Sequence, residues 1–245
     1  MAVIENTLTR ARVDLAAAFR ACAHYGFNEG IDNHLSLAVP GSDELFLLNP
    51  WGPHWSELTA GDLLTLDLDA RVVEGDGVAE TTAFQIHRGV HQARPTARCV
   101  FHTHMPYATA VSLIPGGFET RASQNSALFH GQVATLDYGG LADGESEGRR
   151  IGAAVGEHAR VVVLRNHGVL VIGETVAEAW RDLYFLERAC EVQILAQSTG
   201  QPIALMPEDV AAHTNAQWRK ASDHADLTFA AIKRELDRAT PGYDV

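Results

Sequence analysis

The chain has 245 residues, of which 46% are hydrophobic and 20% are charged, a globular composition that excludes a disordered or fibrous protein. Nineteen Lys and Arg residues stand against 31 Asp and Glu, for a formal net charge of -12. This charge would repel a phosphate backbone, so nucleic acid is not an expected partner. The chain also holds 12 histidines, and imidazole is both a common metal ligand and a proton carrier near neutral pH.

The three cysteines predict neither a disulfide framework nor a metal site. Cys22, Cys99 and Cys190 are far apart, odd in number and set in apolar or helical stretches, which favours reduced core cysteines. No run approaches the roughly 18 apolar residues of a membrane span, and no apolar leader segment begins the chain. We therefore expect a soluble, cytoplasmic protein that does not bind membranes.

The first half of the chain predicts a helix followed by a strand meander. Apolar residues recur at three- and four-residue spacing from Leu8 to Cys22, with Thr7 as the cap and Gly26 as the end. The runs HLSLAVPG and ELFLLNP then alternate about turn residues 40–43, as antiparallel strands do. A strand pair, a helix and a buried strand are expected next, at 63–69 with 71–74, 81–93 and 98–104.

The second half predicts alternating helices and strands. Helices are expected at 108–113, 145–157 and 176–199, and a C-terminal helix at 209–237. Strands are expected at 132–136, 161–164 and 169–173. No repeat, linker or composition shift marks a boundary. The sequence therefore predicts one α/β domain over residues 1–245, with a central, mainly antiparallel sheet covered by helices.

Two histidine motifs follow buried strands. In His102-Thr103-His104, residues two apart point to the same side of a strand, so both imidazoles are presented to one point. His167, in Asn-His-Gly at the end of another strand, would complete a three-histidine face with an open coordination position, as a catalytic metal requires. The alternative is that these are buried histidines paired with backbone groups.

The sequence gives less support for a functional role of the other histidines. His87 and His91 share one face of a predicted helix and could form a ligand pair, but a solvated helix face is the simpler interpretation. His34 and His130 remain candidates for a pocket. The rest lie in polar or helix-end contexts and are expected to be solvated or structural: His24, His54, His158, His213 and His224.

The order of motifs resembles the class II aldolase and adducin family, which has the fold of fuculose-phosphate aldolase. Asp32-Asn33-His34-Leu35-Ser36 stands where the family has a Gly-Asn-x-Ser loop, and residues 49–52, Asn-Pro-Trp-Gly, stand where it has Thr-Pro-Ser-Gly. The His102/His104 pair and Asn-His-Gly then follow in order. The resemblance covers about residues 8–205 and is strongest toward the adducin-like branch. It implies that His102, His104 and His167 bind a divalent metal.

The resemblance also implies a catalytic carboxylate. Catalytic members carry an acidic residue about twenty positions before the histidine pair, and Glu80 lies 22 positions before His102. A carboxylate beside a divalent cation stays ionised and can move a proton at a substrate carbon. The alternative is that Glu80 is a solvated loop residue. The presence of an acidic residue at this position favours an enzyme over an adducin-type scaffold.

Departures from the family pattern bear on the substrate. Trp51, before Gly52, replaces a hydroxyl residue of the phosphate site, and Val78 and Ala79 replace a serine pair. These changes remove an anion site and add an apolar wall. We expect a non-phosphorylated, apolar or aromatic keto acid, contacted by Asn33, His34, Trp51 and Gly52. The alternative is that Trp51 only packs under its loop.

A second departure concerns the proton donor. The resemblance implies a tyrosine contributed by a neighbouring subunit, but near that position the chain has Gln124 and then His130. His130 can donate a proton at neutral pH, so we assign it a catalytic role and assign Gln124 to substrate binding. The resemblance further implies a homotetramer with active sites between subunits, where His213 or Trp218 could complete a neighbour's pocket.

Together these features predict a divalent-metal-dependent lyase that acts through a metal-stabilised enolate. Retro-aldol cleavage of a hydroxy-keto acid and decarboxylation of a keto acid both fit. Zn²⁺ suits three imidazoles best, with Mn²⁺ or Fe²⁺ as alternatives. Two other functions stay open: a non-haem Fe(II) oxygenase on the same histidines, and a non-catalytic adducin-like binding module.

Overall fold

The computed structural model describes residues 2–221 and 223–245, which form one α/β domain. The strands of the described part are β1 His34–Ala38, β2 Leu45–Leu48, β3 Leu64–Asp67, β4 Val72–Glu74, β5 Cys99–Thr103, β6 Val133–Leu136, β7 Val161–Leu164 and β8 Gly168–Gly173. Its α-helices are α1 Ala2–Tyr25, α2 Thr81–Ala93, α3 Pro106–Ser112, α4 Gln124–Ala127, α5 Glu145–Val155, α6 Val176–Gln197, α7 Glu208–Lys220 and α8 His224–Ala239. None of these helices combines the length and apolar character that crossing a bilayer demands.

The strands form a single sheet in the order β4-β3-β2-β1-β5-β8-β7-β6. Neighbouring strands are antiparallel except β6 and β7, which are parallel. The expectation of a mainly antiparallel central sheet is therefore confirmed. At its centre, β5 pairs with β1 so that His102 lies opposite His34, and with β8 so that His102 lies opposite Leu170.

Alternating side chains of β5 and β8 enter two apolar layers, because successive residues of a strand face opposite sides of the sheet. Phe101 and Val171 join the larger cluster, which packs against α1, α3, α6 and α8. Val100 and Leu170 join the smaller cluster with residues of α2 and α5. His102 shares the parity of Val100, so its side chain lies on the α2 side.

Several element boundaries differ from those predicted. The expected helix at 209–237 is two helices, α7 and α8, because the chain leaves the helical conformation at Ala221. Thr7 does not cap α1, which begins five residues earlier, at Ala2. Gly26 does end that helix, in the left-handed region at φ 70°, where a residue without a Cβ is favoured. The short helices α4 and Ala60–Asp62 were not predicted.

Candidate metal centre

The three proposed metal ligands lie at the ends of central strands. His102 is the fourth residue of β5, His104 follows directly after the strand, and His167 lies in the turn between β7 and β8. The expected strand at 98–104 is thus one residue too long at this end. Because β5 and β8 are paired with Thr103 opposite Val169, the turn carries His167 against the other two rings.

The Asn-His-Gly turn has a steric reason. Asn166 adopts φ 57°, a left-handed conformation that asparagine tolerates better than most residues. A Cβ added to Gly168 would lie 2.6 Å from the Thr103 carbonyl oxygen and 2.8 Å from Cδ2 of His104. The glycine therefore allows β8 to approach β5 closely enough for His104 and His167 to meet.

The three imidazoles converge on one point. Their ring centroids are separated by 4.9 Å (His102 and His104), 4.8 Å (His102 and His167) and 4.7 Å (His104 and His167). One nitrogen from each ring lies within 4.8 Å of the others. His102 is buried, while His104 and His167 are partly exposed.

Hydrogen bonds outside the cluster determine where the ring protons lie. Nδ1 of His102 is 3.1 Å from the Val169 carbonyl oxygen, and Nδ1 of His104 bonds the Glu29 carboxylate. Both partners only accept, so in neutral rings both Nδ1 atoms carry the hydrogen and both Nε2 atoms carry a lone pair. The two Nε2 atoms nevertheless face each other at 3.2 Å. Facing lone pairs repel, so this donor set fits a bound cation.

The charge state of the cluster suits metal binding. Burial lowers the pKa of His102 well below its ordinary value. Burial, with the nearby His104, lowers the pKa of His167 to about 4. Metal ligation requires neutral imidazole, and these shifts keep both rings neutral at physiological pH.

A cavity of about 310 Å³ opens beside the cluster. Most of the predicted pocket residues line it: Asn33, His34, Trp51, Glu80, His102, His104 and His167. Ile31, Trp51 and Leu141 add apolar side chains that are 39%, 55% and 73% exposed. All the lining residues are in the described part of the chain, and none is Lys or Arg.

Two asparagines that line this cavity carry buried polar atoms without a hydrogen-bond partner. Asn33, at φ 74°, accepts a hydrogen bond from the His104 backbone N–H through Oδ1, while its buried Nδ2 lacks a partner. Buried Oδ1 of Asn49 also lacks a partner. Buried polar atoms without partners are rare in proteins and indicate a ligand or ordered water. Asn49 was not predicted as a site residue, although its position before Pro50 at the end of a predicted strand was a signal for a functional loop.

Glu80 has both a structural position and access to the cavity. It is the N-cap of α2, where its Oε2 accepts hydrogen bonds from the Ala83 backbone N–H, at 2.8 Å, and from the Thr82 hydroxyl. Both bonds are made by Oε2. The helix start therefore holds the carboxyl group at the cavity wall.

His87 and His91 are not solvated, contrary to the expectation from the sequence. Both are buried, and they join His34 and Ser36 in a hydrogen-bonded cluster between α2 and β1. Burial lowers the pKa of His34 and His87 well below the ordinary value and that of His91 to about 4. Their helical spacing did place them on one face, but that face packs against the sheet.

The remaining predicted site residues, Gly52, Gln124 and His130, do not line this cavity. Gly52, at φ 121°, and the exposed Gln124 are not among its lining residues. His130 bonds the Thr120 hydroxyl at 3.0 Å and the Glu208 carboxylate at 2.9 Å instead. Glu29, which bonds His104, was missed because 75 residues separate the two in the chain.

Comparison with known proteins places this geometry in a family. Residues 13–194 match the family described as the class II aldolase and adducin N-terminal domain. The chain belongs to this family. A Caulobacter vibrioides protein, named provisionally as a class 2 aldolase, is 38% identical over 237 residues, or 96% of this chain and 91% of that protein. Human beta-adducin is 32% identical over 191 residues, or 77% of this chain but 26% of that longer protein.

Solved structures of the class II aldolase family share the fold. An aldolase II superfamily protein from Pseudomonas syringae has a TM-score of 0.91 and 36% identity, covering 98% of this chain and 96% of that one. L-fuculose 1-phosphate aldolase from Glaciozyma antarctica has a TM-score of 0.87 and 27% identity, covering 99% and 96%. The resemblance drawn from the sequence motifs is thereby confirmed.

Proposed function

We propose that this protein is a divalent-metal-dependent carbon–carbon lyase whose substrate is a non-phosphorylated hydroxy-keto or keto acid. The reaction is retro-aldol cleavage or decarboxylation. One observation carries the proposal: the facing Nε2 atoms of His102 and His104, with His167 beside them, in the wall of an open cavity. The likeness to L-fuculose 1-phosphate aldolase supports the reaction class.

His102, His104 and His167 would hold the ion, and three imidazoles suit Zn²⁺, with Mn²⁺ or Fe²⁺ as alternatives. A bound ion would supply Lewis-acid polarisation of the substrate carbonyl, worth several kcal/mol in the transition state. The Val169 carbonyl oxygen orients the His102 ring, and the Glu29 carboxylate orients the His104 ring, each by a hydrogen bond to Nδ1 of the imidazole. Such outer contacts determine ligand geometry as well as affinity.

The two asparagines would orient the substrate. Nδ2 of Asn33 is an unpartnered donor suited to a carbonyl or carboxylate oxygen, and Oδ1 of Asn49 is an unpartnered acceptor suited to a hydroxyl. Trp51 would supply an apolar wall for the rest of the molecule. A hydroxy-keto acid with an apolar group offers a partner to each of these features.

The cavity lining supports a substrate without a phosphate group. Proteins usually bind phosphate with Arg, Lys or a series of N–H donors, and no Lys or Arg lines this cavity. Trp51 stands where sugar-phosphate aldolases of the family carry a hydroxyl. The net charge of -12 gives no general attraction for anions, so a small carboxylate would depend on local contacts.

Glu80 would transfer the proton at the reacting carbon. Its Oε2 is held by the start of α2, and the carboxyl group borders the same cavity as the three histidines. A carboxylate fixed within reach of the substrate is the geometry that general base catalysis needs.

The protein would work as a cytoplasmic homotetramer with active sites between subunits. His130 and Gln124, which do not line the cavity of their own chain, would then act in a neighbour's site. The exposed apolar side chains of Trp51 and Leu141 at the cavity suit a position close to an interface. All three cysteines are free and buried, as expected in a reducing compartment.

The test is turnover of a keto-acid panel by metal-free protein reloaded with Zn²⁺, Mn²⁺ or Fe²⁺. Aldehyde, CO₂ and O₂ are followed together. We expect aldehyde or CO₂ to form only with metal, and Glu80→Gln to lower kcat by about a hundredfold or more. Glu157→Gln, at a position 92% exposed, is the matched control.

Two results of this assay would contradict the proposal. Oxygen consumption that only Fe²⁺ restores would identify an oxygenase. No turnover of any keto acid with any ion would favour an adducin-like binding module.

A further inference from the structure

A chain of hydrogen bonds runs from the substrate cavity into the protein interior. His34 lines the cavity, and its Nδ1 is 2.9 Å from Nε2 of His87. Nδ1 of His87 bonds the Ser36 hydroxyl, which lies 2.8 Å from Nε2 of His91. The chain ends where Nδ1 of His91 meets the Ala97 carbonyl oxygen at 3.0 Å.

This chain is buried and contains no carboxylate. Ser36 and His87 are fully buried, and His34 and His91 are 6% and 7% exposed. The bonds that link them involve only imidazoles, one hydroxyl and one backbone carbonyl. A charged ring here would lack a counterion, so the rings are neutral.

The last bond determines the direction of all the others. A carbonyl oxygen only accepts, so His91 donates from Nδ1 and its Nε2 must accept from the Ser36 hydroxyl. Ser36 has then used its one hydrogen and accepts from Nδ1 of His87. Nε2 of His87 is left to accept from Nδ1 of His34. Four bonds use four hydrogens, and no other assignment of neutral groups satisfies all of them.

We propose that His87, Ser36 and His91 are positioning residues that fix His34 as the Nδ1-protonated tautomer, which makes its Nε2 a permanent hydrogen-bond acceptor in the substrate cavity. The ring of His34 lies 4.9 Å from that of His102, tilted by 32°. The acceptor therefore stands directly beside the three-histidine cluster.

The fixed acceptor selects the substrate group that it contacts. A hydroxyl can donate to Nε2, whereas a carboxylate or a carbonyl oxygen would face it with another lone pair. Resting on the function proposed above, this means that the substrate carries a hydroxyl next to the carbonyl. The chain orients His34 and does not conduct protons, because the Ala97 carbonyl cannot accept one and pass it on.

The tautomer is directly measurable by ¹⁵N NMR of histidine-labelled, Zn²⁺-loaded protein, with His34→Gln used for assignment. We expect one neutral form of His34, with the hydrogen on Nδ1. Ser36→Ala interrupts the chain with little change in volume, so the form with the hydrogen on Nε2 should then appear. Ser112→Ala is the matched control, because Ser112 is also buried but bonds the Thr109 carbonyl outside this cluster.

A hydrogen on Nε2 of His34 in the unmodified protein would overturn the proposal, even if the Ser36 variant did not fold. A folded Ser36→Ala protein with the original tautomer would overturn it as well.

Calorimetry with hydroxypyruvate and pyruvate tests the selectivity, because the two probes differ by one hydroxyl. We expect hydroxypyruvate to bind about fivefold more tightly than pyruvate, because it forms one additional net hydrogen bond. This preference should be lost in Ser36→Ala and kept in Ser112→Ala. Equal binding of both probes to the unmodified protein would refute the selectivity. If neither probe bound, the proposed substrate class would be wrong, and the NMR result would still decide the tautomer.

Discussion

Acid should destabilise this protein through His91, by an amount that the structure allows us to estimate. Burial is the largest cause of the lowered pKa of His91, which is about 4 against an ordinary 6.5. As pH falls below 6.5, His91 binds a proton in the unfolded chain but stays neutral in the folded chain. The stabilisation is therefore complete above pH 6.5 and is lost progressively down to about pH 4. A pKa shift of this size corresponds to about 3 kcal/mol in the free energy of unfolding.

The assay is urea unfolding of metal-free protein at several pH values between 7 and 4.5, for the unmodified chain and for His91→Gln. Glutamine can still accept from Ser36 and donate to the Ala97 carbonyl, but it does not titrate. The variant should lose less free energy of unfolding across this range than the unmodified protein. His158→Gln, at a position 84% exposed, is the control. Parallel pH dependence of the unmodified protein and His91→Gln would refute the reasoning.

Three further substitutions probe the site. Gly168→Ala should weaken metal binding by about tenfold or more, because the added Cβ would collide with Thr103 and His104. Gly116→Ala is the control: no atom lies within 4 Å of the added Cβ, so this variant should bind metal normally in the same titration. Glu29→Ala should weaken metal binding by about tenfold, because it removes the acceptor that orients the His104 ring, and unchanged affinity would contradict that role. Trp51→Ala should raise KM for apolar substrates and leave Tm nearly unchanged, because the side chain is 55% exposed; a large drop in Tm would show that it packs under its loop.

The pairing of strand ends was readable from local patterns. Alternating and continuous apolar runs predicted the central strands, and the Asn-His-Gly motif at the end of one of them predicted that His167 lies beside His102 and His104. The same patterns indicated a single domain, because no composition shift interrupts the chain. These features depend on residues close in sequence, where periodicity and turn chemistry decide the structure.

Contacts between distant segments were not readable. Glu29 reaches His104, and His91 reaches Ser36, only because the sheet brings their elements together. Helical spacing showed that His87 and His91 share a face but not whether that face meets water or a strand. The break between α7 and α8 was also missed, because the amphipathic pattern continues on both sides of Ala221.

The central claim is that His102, His104 and His167 hold a divalent ion, and Zn²⁺ titration of metal-free protein by calorimetry tests it most directly. We expect one ion per chain in the unmodified protein and in the surface variant His158→Ala. We expect at least about a hundredfold weaker binding in His167→Ala, because a three-ligand site loses one ligand. Equal Zn²⁺ affinity in the unmodified protein and His167→Ala would contradict this metal site.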